Sequence, residues 1–520
     1  MMENAAVALE KEVLSTIKKT DNVVYGNSDK KSNSLVVILC GTGNNGGDGY
    51  ALSRRLLGKC AVLVMAFGDA KAVEAKRQVE MATACGVKII EAENAAFCEY
   101  ESELKAARVF VDCLYGSGFH GALNEKVATF LEKINDIDCK KIACDISSGI
   151  DLFGRVPTKN TLGEKIAFKA DKTITMGALK AALFSDEAKD FTGCIEVAEL
   201  GISSAVFEKC AVSNTSCIFT PDSSITTESS ESHRFEAAST SKAIPDAYLL
   251  EKNDIKLPDR TKNNTHKGCF GHCALVIGEK AGAAIIAGTA ALKSGAGLAT
   301  CVNLGKKHNF LMNPELMENT SFPEKTSAAL LGSGLGRKNN AVFDSVLQFI
   351  FKMKNPACVF DADFFYYDNI NEVLKKLCNR ENARVILTPH PKELFFLAKN
   401  CGIKEITEKY AIEMRFEATR KIASLFPSIV LVAKGANTII ACGNAIFISE
   451  FGSPALSKAG SGDVLAGFCT GLLAQGYNAL EAAKTAVYLQ GSSSRLFENR
   501  WELSPLDLAR LATRLVHQVL

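Results

Sequence analysis

Asp112, Asp145 and Asp463 each stand beside an apolar run and a glycine-rich turn. Val109-Phe110-Val111-Asp112 leads into Gly116-Ser117-Gly118-Phe119-His120-Gly121, and Ile142-Ala143-Cys144-Asp145 into Ser147-Ser148-Gly149-Ile150-Asp151. Asp463 follows Gly460-Ser461-Gly462 where a long apolar helix opens. A carboxylate in such a place can give or take a proton, while free backbone amides and the helix dipole hold an anion. Behind Gly-Ser-Gly, an Asp suits phosphoryl transfer: the amides cradle the moving group and the Asp takes the proton of the accepting hydroxyl. An ordinary helix N-cap has the same local sequence, so the surrounding motifs must decide.

A further loop, Gly41-Thr42-Gly43-Asn44-Asn45-Gly46-Gly47-Asp48-Gly49, follows the β-branched run Leu35-Val36-Val37-Ile38-Leu39-Cys40 and precedes the helical spacing of Tyr50 to Leu57. A strand, a tight turn and a helix start together place several amides at one spot, which predicts a phosphate or pyrophosphate site. Gly41, Gly43 and Gly46 satisfy the dinucleotide-binding spacing, with Asp69 near the distance expected of a ribose-binding acid. Asn44, Asn45 and Asp48 add more polar oxygen than a pyrophosphate turn requires.

The elements that must carry these residues alternate. A helix is expected over 2–18, a polar link over 18–34, and strands over 35–40, 61–67, 108–112 and 141–145, the pattern of a doubly wound parallel sheet. Residues 213–241 are rich in Ser, Thr and Glu and poor in large apolar residues, which places a polar link at about 205–245 between a domain over 1–204 and another over 246–520. In the latter, strands are expected at 273–278, 328–331, 357–361, 384–387, 429–433 and 438–441, with a small-residue helix at 283–294 suited to close packing. Each half is expected to fold by itself.

Bulk properties narrow the classes. The chain has 520 residues, 47% hydrophobic and 23% charged, at a formal charge of +2, so nothing favours nucleic acid or an anionic membrane surface. No apolar run approaches membrane-spanning length, and Met1-Met2-Glu3-Asn4-Ala5-Ala6 is not the start of a signal peptide. The 18 cysteines are scattered and include no Cys-x-x-Cys, which fits reduced thiols in a cytoplasm. His266, Cys269, His272 and Cys273 are dense enough to suggest zinc, but Cys273 opens an apolar strand and no second ligand pair follows.

The nonapeptide 41–49, together with Ala170-Asp171-Lys172-Thr173-Ile174-Thr175-Met176-Gly177-Ala178-Leu179-Lys180 and Val197-Ala198-Glu199-Leu200-Gly201-Ile202, resembles the NAD(P)H-hydrate epimerase family (the YjeF N-terminal domain). Family members usually carry one more helix before the segment matching Met2-Glu3-Asn4-Ala5, so either translation starts upstream or that helix is lacking. His266-Lys267-Gly268, Gly332-Ser333-Gly334-Leu335-Gly336, Asp361-Ala362-Asp363, Leu387-Thr388-Pro389-His390-Pro391-Lys392-Glu393, Lys434-Gly435-Ala436 and the Asp463 motif appear in order. Together they resemble the NAD(P)H-hydrate dehydratase family (the YjeF C-terminal domain). Ser333 stands where that family usually has proline, and Lys392 where it often has glycine.

The resemblance implies an α/β protein: a Rossmann-like doubly wound parallel sheet followed by a ribokinase-like three-layer α/β domain. It implies that R and S forms of reduced nicotinamide nucleotide hydrated at C6 (NADHX, NADPHX) are interconverted by the first domain, with Asp145 as proton donor and acceptor. The second would dehydrate the S form at the expense of ADP, with Mg²⁺, and Asp463 would deprotonate the C6 hydroxyl. Asn44, Asn45, Gly46, Gly47 and Asp48, with Gly116, Ser117, Gly118, Phe119, His120, Gly121 and Ala122, would hold the dinucleotide. Asn45, Asp112 and Ser148 would bind K⁺. Ala283 (or its neighbour Ala284), Gly334 and His390 map to hydrate-binding positions, although Thr-Pro-His-Pro also suits a rigid loop with a capping histidine. Lys434, Gly435, Ala436, Asn437, Thr438 and Gly462 map to the nucleotide. The expected partners are these small molecules and further copies of the chain, in the cytoplasm. Two other readings remain open: a Rossmann oxidoreductase fused to a sugar- or vitamin-type kinase, with Asp69 on a ribose, and a non-catalytic nucleotide sensor.

Overall fold

The computed structural model describes residues 1–25, 34–92, 97–201, 246–258, 260–304, 312–337, 339–497 and 501–517. The chain divides into two compact units, Met1–Asp246 and Ala247–Leu520. The expected link over 205–245 and residues 26–33 of the one over 18–34 lie outside the described residues; 18–25, expected as link, instead continue the helix expected over 2–18, which runs as Met2–Tyr25.

Seven strands form the sheet of the first unit: β1 Leu35–Cys40, β2 Ala61–Ala66, β3 Lys88–Glu91, β4 Ala107–Cys113, β5 Lys140–Cys144, β6 Lys172–Met176 and β7 Cys194–Ala198. Their order is β3-β2-β1-β4-β5-β6-β7, and every pairing is parallel. Both faces are covered, which is why the inner strands read as unbroken apolar runs. Val36, Ile38 and Cys40 pack under the helices Met2–Tyr25 and Asn44–Leu56, while Val37 and Leu39 face Phe110, Leu131 and Phe168 on the other side. The order reverses between β1 and β4, so the crevice at their carboxyl ends is where such a sheet accepts a ligand.

The sheet of the second unit contains β8 Tyr248–Leu249, β9 His272–Val276, β10 Leu298–Val302, β11 Met317–Asn319, β12 Ala328–Leu331, β13 Ala357–Phe360, β14 Arg384–Leu387, β15 Val430–Ala433, β16 Thr438–Cys442 and β17 Ala445–Ser449. The order β11-β10-β9-β12-β13-β14-β15-β16-β17-β8 reverses between β9 and β12, and only β15–β16–β17 pair antiparallel among the described strands. Helices Ala281–Lys293, Ser461–Ala474 and Ala479–Arg495 cover one face; Asn340–Lys352, Ile370–Cys378, Pro391–Asn400 and Arg415–Leu425 cover the other, giving three layers. The small-residue helix packs closely as expected: a Cβ on Gly467 of Ser461–Ala474 would stand 2.2 Å from the Ala287 carbonyl oxygen. Among the described residues no helix is long and apolar enough to cross a membrane.

Candidate active sites

In the first unit the loops after β1 and β4 and the end of β5 enclose a cavity of about 590 Å³, lined by Asn44, Asn45, Asp48, Ser117, His120 and Asp145 among others. Gly43 is the N-cap of the helix Asn44–Leu56, so Asn44 to Gly49, read from sequence as part of a turn, are its first turns. Glycine is required there by close approach. A Cβ on Gly41 would lie 1.9 Å from the Leu114 carbonyl oxygen, and one on Gly46 equally near that of Gly41. Gly46 and Gly47 are therefore buried supports, while Gly116 and Gly118 line the cavity and the exposed Gly121 and Ala122 lie outside its lining. Asp69, three residues beyond β2, is exposed and is not part of this lining.

Asp145 ends β5 with φ at +69°, a left-handed conformation that strains most side chains and that Asp tolerates better than most. Its carboxylate is held on both oxygens. Oδ2 accepts the Ser117 amide at 3.1 Å; Oδ1 accepts that of Met176 at 3.1 Å and pairs with Lys180 Nζ at 2.6 Å. Lys180 also donates to Thr175 Oγ1 at 2.8 Å, so the turn after β6 carries the lysine to the end of β5.

Beside this cavity Asp112 is fully buried, and burial raises its carboxyl to about 6 against the hydrogen bonds from Ser148 that lower it. Ser148 donates through its amide at 2.8 Å and its hydroxyl at 2.7 Å, and Leu114 through its amide at 3.1 Å. Asn45 is buried, and its side-chain nitrogen is a donor with no acceptor among the described residues, which leaves it to meet an acceptor on a ligand at the cavity. A carboxylate, a hydroxyl and an amide oxygen of low total charge suit a monovalent hard cation.

Asp48 lies in the helix facing the cavity. Its carboxyl is raised to about 7 by burial and by Asp145, against the Met1 amino group and a thiol contact from Cys144 Sγ at 3.9 Å. Cys144 belongs to a row of buried thiols at the carboxyl ends of three neighbouring strands: Cys40 of β1 is in register with Cys113 of β4, and Cys113 reaches Cys144. Burial pushes Cys113 up to about 11 and Cys40 well above its ordinary value, and Cys144 is raised well above its own first by the hydrogen bond with Cys113 and then by burial.

In the second unit Asp463 is the third residue of the helix Ser461–Ala474, whose N-cap Gly460 has φ +91°. The first-turn amides of such a helix lack intrahelical acceptors. Burial and the nearby Asp361 raise Asp463 to about 6, with Lys434 pulling the other way. Asp361, at the end of β13, is buried and accepts from Lys434 Nζ at 2.9 Å, Thr388 Oγ1 at 2.7 Å and Ser333 Oγ at 3.0 Å. Lys434 also meets Glu393 at 3.6 Å; burial alone would lower its amine, but the two carboxylates hold it above its ordinary value. Sequence reasoning quoted Asp361 and Glu393 within motifs without a role; both anchor the lysine.

The remaining expected positions fall around this cluster. Gly334 has φ +61°, and its Cβ would stand 2.9 Å from that of Ala283, which is half-buried, whereas Ala284 belongs to the core. Both follow the strands β9 and β12 where the order reverses. His390 caps the helix Pro391–Asn400: Nδ1 accepts the amides of Lys392 and Glu393 at 3.1 and 3.3 Å, and Nε2 faces Glu393 Oε1 at 3.1 Å. Lys434 to Asn437 form the tight connection between β15 and β16, and Gly462 would place a Cβ 3.5 Å from Lys434 Nζ. Sequence reasoning missed Arg415, which is buried and donates to the carbonyls of Ala433 at 2.8 Å and Asn437 at 2.5 Å. A Cβ on Gly435 would meet its guanidinium at 2.5 Å. The residues suggestive of zinc point to separate partners: His266 caps the turn Lys267–Phe270, His272 meets Thr300 Oγ1 at 2.7 Å, and Cys273 is buried in β9.

Two largely parallel sheets, each with an acidic residue beside its switch point, define an α/β protein of two units, the first Rossmann-like and the second three-layered. Residues 1–182 match the family described as YjeF-related protein N-terminus, and residues 273–515 that described as NAD(P)H-hydrate dehydratase. A Helicobacter pylori protein described as bifunctional NAD(P)H-hydrate repair enzyme Nnr is 39% identical over 512 residues, 98% of this chain and 93% of the relative. The Escherichia coli protein of the same description is 27% identical over 479 residues, 89% and 81% of the two chains. Among solved structures, the Bacillus subtilis ADP/ATP-dependent NAD(P)H-hydrate dehydratase is 24% identical, with a TM-score of 0.43 over 53% of this chain and 99% of its own. The chain belongs to the bifunctional NAD(P)H-hydrate repair family.

Proposed function

We propose that this protein repairs hydrated nicotinamide nucleotides, with Asp145 and Asp463 as the working carboxylates of its two reactions. The first unit epimerises the R and S hydrates of NADH and NADPH; the second dehydrates the S form with ADP, giving AMP and phosphate. The observation that carries the assignment of residues is the placement of each carboxylate at a switch-point crevice, among backbone amides and beside the motifs that the two families share.

At C6 the hydrate bears a hydroxyl next to the ring nitrogen, so the hydroxyl can leave as the nitrogen lone pair forms an iminium. Asp145 lies where it can exchange a proton with the departing or returning water and offset the positive ring. Asn45, Asp112 and Ser148 would hold K⁺, whose charge when bound would neutralise Asp112 and favour dinucleotide phosphate nearby. In the second unit Asp463 takes the proton of the C6 hydroxyl as its oxygen attacks the β-phosphorus of ADP. AMP departs; the C6–O bond then breaks with phosphate as leaving group, and loss of a proton from C5 restores the reduced nicotinamide. Mg²⁺ accompanies the nucleotide. Lys434 and Gly462, with the 435–438 connection held by Arg415, form the proposed nucleotide side; Ala283, Gly334 and His390 form the hydrate side.

Mixed R and S hydrates supplied with ADP test this reading. Both epimers should disappear with one AMP formed per NADH, whereas without ADP a single epimer should only interconvert. Oxidation of NADH itself, or binding without turnover, would overturn it. Exchanging K⁺ for a bulky organic cation should slow interconversion alone; equal rates across cations would remove K⁺ from the site.

A further inference from the structure

Epimerisation at C6 requires a proton to be delivered to a hydroxyl on one face of the ring and taken from water on the other. Asp145 is poorly suited to serve both faces. Its two oxygens are fixed by Ser117, Met176 and Lys180, and its backbone holds a left-handed conformation. Asp48 lines the same cavity from a different element, the helix after β1, and among the described residues its Oδ2 accepts a weak hydrogen bond from the Cys144 thiol at 3.9 Å. We propose that Asp48 is the second acid–base group of the epimerase site, serving the ring face opposite Asp145. This rests on reading the cavity as the hydrate epimerase site.

The step balances. Protonated Asp48 gives its proton to the C6 hydroxyl, the C6–O bond breaks with its electrons leaving on water, and the ring nitrogen forms the iminium. Water on the other face attacks C6, forms the new C6–O bond with inverted configuration, and passes a proton to Asp145. The reverse reaction, or exchange with solvent, returns both carboxyls to their starting states. Burial and the neighbouring Asp145 keep a proton on Asp48 up to about pH 7, so a donor is present at neutral pH. Two further titratable side chains line the cavity: His120 is exposed on a loop with Nδ1 on the Gly118 carbonyl at 3.0 Å, and Tyr115 packs its ring against Phe119 at 5.0 Å between centroids.

Asp48→Asn in the full chain tests this, with single epimers of the hydrate in H₂¹⁸O and mass analysis of each product. Inversion should fall about 10²–10⁴-fold. The epimer whose hydroxyl faces Asp145 should still take up ¹⁸O with retained configuration, because Asp145 can expel and readmit water on its own face. That surviving exchange also reports an intact site. Unchanged inversion, exchange lost in both epimers, or loss of inversion in His120→Asn but not in Asp48→Asn would each overturn the proposal. If Asp145→Asn also left inversion unchanged, the epimerase reading of the cavity would fall, a result distinct from failure of Asp48 alone.

Discussion

In the first unit the central carboxylate is met by a lysine at 2.6 Å and two backbone amides, whereas in the second Asp463 faces further acids and the nearby lysine is already engaged by Asp361 at 2.9 Å. One carboxylate is fixed in position by its partners. The other is made a stronger proton acceptor by burial and like charge, at about 6. The proposed chemistry accounts for the difference. Removing a proton from a hydroxyl during phosphoryl transfer gains from a basic carboxylate; exchanging a proton beside a transient iminium gains from a negative charge held in place.

The largest test of this contrast is the pair of conservative exchanges. Asp463→Asn should slow dehydration by about 10²–10⁴-fold and leave epimerisation intact, and Asp145→Asn should do the reverse. Chromatography of the two epimers reads both; loss of both activities in either variant would mean that the sites are not separate. Next in size are the lysines. Lys434→Met strands Asp361 and Glu393 in a buried setting and should lower the stability of the second unit by about 3–5 kcal/mol in urea unfolding. Lys180→Met should lower that of the first by about 1 kcal/mol, since Asp145 keeps two amide partners. Equal losses would erase the distinction between the two sites.

The pH profile sharpens it further. As the proposed base Asp463 must be ionised, and its carboxyl is raised, so dehydration should be level above about pH 6 and fall about tenfold per unit below it as the acceptor becomes protonated. A rate level down to pH 4 would remove Asp463 as the base. Gly435→Ala, which drives a methyl onto the Arg415 guanidinium, should destabilise by about 1–3 kcal/mol. Gly116→Ala in the first site, where a Cβ stands 3.1 Å from Asp145 Oδ2, should do less to melting than to epimerisation. The smallest effect is expected from His390→Asn: asparagine also caps helices, so stability should hold. A raised KM for hydrate would then support a binding role, and an unchanged one would leave His390 as a cap alone.

Much of this was legible in the sequence because parallel strands buried on both faces declare themselves as apolar runs: β1, β2, β4 and β5 were all foreseen to within a residue. Strands β3, with Lys88 and Glu91 at its ends, and β7, exposed along most of its length, gave no such run, because edge positions bury less. The glycine-rich stretch 44–49 was read as turn since glycine disfavours helices; close packing against Met2 and Cys40 overrides that preference. The proposed catalytic carboxylates stood out by their motifs. Lys180 closed the quoted stretch 170–180 without a role and Arg415 belonged to no quoted motif, because only the folded sheet brings Lys180 to Asp145 and Arg415 to the connection after β15.

The buried cysteines give each half an internal reporter of its own opening. A thiol reacts as thiolate, so Cys40, Cys113 and Cys144 in the first unit, and Cys273, Cys358 and Cys469 in the second, are shielded by both enclosure and raised pKa. Cys85, Cys98, Cys194 and Cys269 are exposed and should label at once with an alkylating reagent. Modification of those six buried thiols then waits on local opening, and peptide mapping assigns it to one half. Followed over time with NADH hydrate or ADP added singly, the slow labels would tell which half each ligand quiets, without a dye, a tag or an engineered residue.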